Sequence, residues 1–113
     1  MQQQSVDPVV VIALFLLVAS FLLTGCDTES SGATLYTLNC ASCHGVAGKG
    51  GSAIALSDAA YLATHDELVM ARLTSDGVPS TTMRAFGKSR GGSLTDDQIT
   101  TIVRYLRSNR SAN

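Results

Sequence analysis

Two thiols three positions apart, with an imidazole directly after the second, constrain this chain more than any other feature: Cys40-Ala41-Ser42-Cys43-His44. This is the spacing needed to attach a c-type haem. One helical turn between the sulfurs spans two vinyl groups, and each vinyl takes a thiol to give a thioether. His44 is then carried under the iron as the proximal ligand. Moved by one residue, it would point elsewhere. Other uses of these residues fit less well. A thioredoxin-type dithiol expects a strand-helix-strand unit, and no strand pattern is visible. A structural zinc needs four ligands, and outside the cluster only Cys26 and His65 remain. The motif occurs once, without internal repeats, so one covalent haem c is expected.

Composition agrees from another direction. The chain has 113 residues and is 45% hydrophobic, but much of that lies in one N-terminal run. Beyond the run the aromatics are Tyr36, Tyr61, Phe86 and Tyr105, with no Trp. So small a domain needs a staple or a cofactor at its centre. From Cys26 onward basic and acidic residues balance, and nothing points to nucleic acid.

Val9 to Leu23 is apolar except for Ser20, and Leu23-Thr24-Gly25-Cys26 follows. This ending resembles a bacterial lipobox, where a signal peptide is cut and the new N-terminal Cys is acylated. On that reading residues 1–25 are removed and Cys26 carries the lipid. The segment before the run lacks Lys and Arg and holds Asp7, which export signals normally do not. An uncleaved anchor is therefore the alternative, although Val9 to Gly25 sits at the short limit of about 17 residues for a bilayer helix. Either way the expected place is the outer, periplasmic face of a bacterial cytoplasmic membrane. The expected divisions are 1–25 signal or anchor, 26–31 lipidation Cys and linker, and 32–113 haem domain.

Downstream, Gly32 to Cys43 reads as a first helix. Thr64-His65-Asp66-Glu67 reads as a capping box with Thr64 at the cap, opening a helix that Gly77 stops. His65 is expected in solvent and Met70 in the core. Leu94-Thr95-Asp96-Asp97-Gln98 opens a last helix with the apolar stripe Ile99, Ile102, Val103 and Leu106. The order Gly32-x-x-x-Tyr36-x-x-x-Cys40 resembles the N-terminal helix of class I c-type cytochromes. Met83-Arg84-Ala85-Phe86 resembles that family's Met-Pro-Ala-Phe loop, with Arg84 where Pro is usual. Ser52-Ala53-Ile54-Ala55-Leu56 stands where the family has a proline whose carbonyl holds the proximal His; here a carbonyl near Ala53 is expected to serve.

The resemblance implies an all-α fold of three or more helices around one haem. It implies His44 and Met83 as iron ligands, Cys40 and Cys43 as attachment points, and one-electron transfer in a respiratory or photosynthetic chain. Met70 or an open sixth site is the alternative to Met83. An open site would make the chain a haem enzyme subunit or a gas-binding sensor. No acid, base or nucleophile constellation is present, so an electron carrier is expected rather than an enzyme. Its partners would be a redox donor and acceptor, with large membrane-complex subunits as a fixed alternative. Arg84, Lys88 and Arg90, with no acid between Asp76 and Asp96, are expected to lie beside the ligand loop.

Overall fold

The computed structural model describes residues 5–21 and 30–110, with 17–21 described as backbone only. Cys26 and its surroundings lie outside the described residues. The described elements are α1 (Pro8–Phe21), α2 (Gly32–Asn39), α3 (Ala41–His44), α4 (Ala59–Thr64), α5 (Glu67–Asp76) and α6 (Asp96–Ser108). Short 3₁₀ turns fall at Val46–Gly48 and Lys88–Arg90. The fold is all-α, as expected. Pairing among the described residues is limited to one isolated bridge, Gly87 to Leu94.

Helix α6 organises the domain, and its sequence explains why. Thr95 accepts from the Gln98 N–H at 3.2 Å, and Gln98 returns the bond to the Thr95 N–H at 3.0 Å. Its apolar stripe then turns inward as one face: Ile99, Ile102, Val103 and Leu106 are each 3% exposed or less. Burying side chains of this kind stabilises by roughly 1.5–3 kcal/mol apiece. Helices α2 and α5 both pack on α6. A Cβ on Gly32 would meet the Thr101 carbonyl at 2.6 Å and Tyr105 Cβ at 2.7 Å, so glycine permits the close crossing of first and last helices. Tyr36 and Tyr105 seal this crossing with ring centres 5.6 Å apart.

Three local expectations are corrected. The first helix is broken at Cys40 (φ −125°, ψ −33°), giving α2 and the single turn α3 in place of one helix to Cys43. Helix α5 is capped by Asp66, whose carboxylate accepts from the Val69 N–H at 2.8 Å. Thr64 instead closes the preceding α4, which Asp58 caps. His65 is half-buried rather than solvated. Its ring stacks on Tyr61 at 4.0 Å, and its carbonyl accepts from Arg107 at 2.9 Å.

In α1 the side chains of Val9 to Leu16 are exposed on every face described. No described helix is long and apolar enough to cross a membrane.

Candidate functional site

The site begins at the break after α2. Cys40 leaves helical geometry, yet its N–H still donates to the Tyr36 carbonyl at 2.8 Å. Its own carbonyl accepts from the N–H groups of Cys43 (3.2 Å) and His44 (3.0 Å), starting the next turn. Cys40 and Cys43 therefore sit one turn apart, both as free thiols. Cys40 is half-buried and Cys43 exposed. Burial, and then the neighbouring Cys43, push the Cys40 thiol up to about 11.

His44 is 8% exposed. Its Nδ1 faces the Ile54 carbonyl at 2.9 Å. A carbonyl only accepts, so Nδ1 carries the proton and Nε2 keeps its lone pair. The acceptor is next to Ala53, in the stretch where a carbonyl was expected to serve, while the Ala53 carbonyl accepts from the Gly51 N–H at 3.0 Å. The loop is laced to α3 by two more bonds, from the Gly50 N–H to the His44 carbonyl (2.8 Å) and from the Ala53 N–H to the Cys43 carbonyl (2.9 Å). Gly45 makes the reversal possible: at φ 77° its backbone lies against Gly50, and a Cβ there would run into the Gly50 carbonyl.

Tyr36 contributes a contact that sequence reasoning missed. Fully buried, it donates its hydroxyl to the Gly45 carbonyl at 2.7 Å. It thereby ties α2 to the turn that follows His44. Burial first, then Cys40, push the hydroxyl up to about 12. The signal for this role was available only as a Tyr on the inner face of α2, which packing alone would also explain.

Met83 lies in the loop after α5, as expected, and Met70 is buried in the core at 4% exposure. The loop closes on itself. The Val78 N–H donates to the Met83 carbonyl at 2.9 Å, and the Met83 N–H donates to Thr81 Oγ1 at 3.1 Å. Both backbone groups of Met83 are thus held while its side chain packs, half-buried, on the same core that Cys40 touches. Phe86 then plugs the loop into α5, its N–H donating to the Thr74 carbonyl at 3.1 Å. The Arg84 guanidinium lies 5.0 Å above the Phe86 ring. Arg90 pairs with Asp76 at 2.9 Å on the exposed surface.

The donor chemistry fits haem c. Two free thiols one turn apart precede an imidazole whose tautomer leaves Nε2 as the donor atom. The cytochrome c family model matches residues 30–110. The chain belongs to the cytochrome c family. No curated protein matches it. A cytochrome c domain carries covalently attached haem c and works in electron transfer between redox partners, as carriers rather than enzymes in general.

Proposed function

We propose that this cytochrome c is a membrane-attached, class I, monohaem electron carrier with His/Met ligation. The observation that carries the reading is the 2.9 Å contact between His44 Nδ1 and the Ile54 carbonyl, which aims the opposite nitrogen as a ligand. Cys40 and Cys43 would hold the group as thioethers, and His44 Nε2 and the Met83 thioether would be the protein's donors to its metal. Haem c, when bound, supplies a metal centre that takes up and gives back a single electron. The chain's residues do the rest. Nδ1 bonded to a carbonyl keeps the imidazole a good donor in both oxidation states. A thioether favours the lower charge and so raises the potential. The apolar core under Cys40 and Met83 excludes water from that side and penalises the more charged state.

Attachment to the outer face of a bacterial cytoplasmic membrane is part of the proposal. Support comes from the lipobox-like Leu23-Thr24-Gly25-Cys26 and from an apolar α1 whose side chains from Val9 to Leu16 are exposed. Such a helix belongs in lipid or in a removed signal. The five residues between Cys26 and Gly32 reach at most about 17 Å. So short a tether suits a respiratory or photosynthetic partner held nearby better than a distant one.

Intact mass of the membrane-extracted protein tests the whole reading. The expected mass includes one haem and acyl chains on Cys26, and lacks residues 1–25. Extraction with acidified organic solvent should leave haem on the polypeptide. Haem that partitions away would overturn the Cys40 and Cys43 assignment.

A further inference from the structure

Charge is unevenly spread over the domain. Between Ser30 and Ser57 the charged side chain is Lys49 alone, and the others of the described domain come from Asp58 onward. Helix α2 carries none. Its inner face is spent on the core through Leu35 and Tyr36. Its outer face shows Ala33, Thr34, Thr37 and Leu38, which line a shallow depression of about 260 Å³. Leu38 is 77% exposed.

This face is less polar than its two threonines suggest. The Thr37 hydroxyl donates to the Ala33 carbonyl at 2.7 Å, and Thr34 Oγ1 bonds Ser31 Oγ at 3.0 Å. Both hydroxyls thus already have a partner in the helix or at its N-cap, next to the exposed Leu38. By contrast, the surfaces of α5 and α6 present Arg72, Asp76, Asp96, Asp97 and Arg104, all exposed. Those charges would be costly against an apolar layer.

Position in the chain selects the occupant. Helix α2 starts five residues after Cys26, and those five span at most about 17 Å. The helix itself is about 12 Å long. Every point of its outer face therefore lies within reach of the surface holding the anchor. We propose that the outer face of α2 is a second membrane contact, lying on the bilayer interface with Leu38 among the acyl chains. The contact rests on the membrane attachment proposed above. One leucine and a few methyls would not hold a free protein on lipid. A short tether raises the local concentration of that surface to roughly the millimolar range, where weak contacts are populated.

The test uses the membrane-extracted holoprotein in phosphatidylcholine vesicles, with a nitroxide on Thr34→Cys and, separately, on Ser89→Cys in the exposed Lys88–Arg90 turn. Collision with a water-soluble nickel chelate is measured. Position 34 is expected to be several-fold less accessible than position 89. Adding Leu38→Asp, at a site too exposed to affect folding, should return position 34 to the accessibility of 89. Equal accessibility in protein that floats with the vesicles overturns the contact and leaves the anchor standing. Protein that does not float removes anchor and contact together. Protection that disappears as protein is diluted in lipid assigns the face to a second copy of the chain and overturns the membrane contact.

Discussion

The segment from Cys40 to Ile54 and the loop from Val78 to Phe86 hold their proposed ligands, His44 and Met83, by different means. In the first, the ligand ring itself is gripped: His44 is buried, and Nδ1 is bonded across the loop. Bonds from Gly50 and Ala53 hold the surrounding backbone at two further points. In the second, the grip stops at the backbone. The N–H and carbonyl of Met83 are bonded, while the thioether is only packed. One side specifies an orientation; the other specifies a position and leaves the side-chain torsions to packing. On the proposed ligation, His44 would belong to the fold, whereas Met83 would be replaceable without unfolding the domain.

Replacing each ligand is the strongest way to break this contrast. His44→Ala should give the largest effect, loss of stable holoprotein, read as covalent haem on a denaturing gel and as the thermal midpoint. Next comes the pair of methionines. Met70→Ala empties a core site and should cost about 2–5 kcal/mol, with the potential nearly unchanged. Met83→Ala should cost less stability, lower the potential and let carbon monoxide bind the reduced protein. An unchanged potential in the Met83 variant would reassign the sixth ligand.

Tyr36→Phe sharpens the proximal side by cutting one buried bond to Gly45, at about 1 kcal/mol in a denaturant titration. It also carries a pH signature. The Tyr36 hydroxyl is raised from 10.0 to about 12, first by burial. The folded state therefore favours the neutral phenol, whose contribution is complete below pH 10 and is lost as pH rises from 10 through 12. The phenylalanine variant should lose stability less steeply over that window. Tyr61, also raised by burial, leaves some slope behind. Least of all, Arg90→Ala breaks an ion pair whose side chains are 60% and 39% exposed, and should change stability by about 1 kcal/mol or less.

What could be read in the chain beforehand follows the range of the interactions involved. The capping box of α6 and its stripe are local patterns, and both formed as written. The Cys-x-x-Cys-His turn is equally local. The break at Cys40 was hidden, because Thr37 to His44 contains no Pro or Gly to announce it. At Thr64-His65-Asp66-Glu67 the chain offers two capping side chains. The choice between them depended on Asp58 opening a short helix upstream that ends at Thr64. The pairing of Arg90 with Asp76 was not legible, because the two come from different elements, beyond any helical repeat.

The close crossing of α2 and α6 also sets an order of events in time. Synthesis runs from the N-terminus, so Cys40, Cys43 and His44 emerge long before the stripe of Ile99, Ile102, Val103 and Leu106. Until that last helix arrives, Leu35 and Tyr36 have no wall to pack on, and the half-buried Cys40 stays open. Before α6 docks, the segment around Cys40 and Cys43 is therefore at its most open, and docking of α6 completes the wall behind Leu35 and Tyr36.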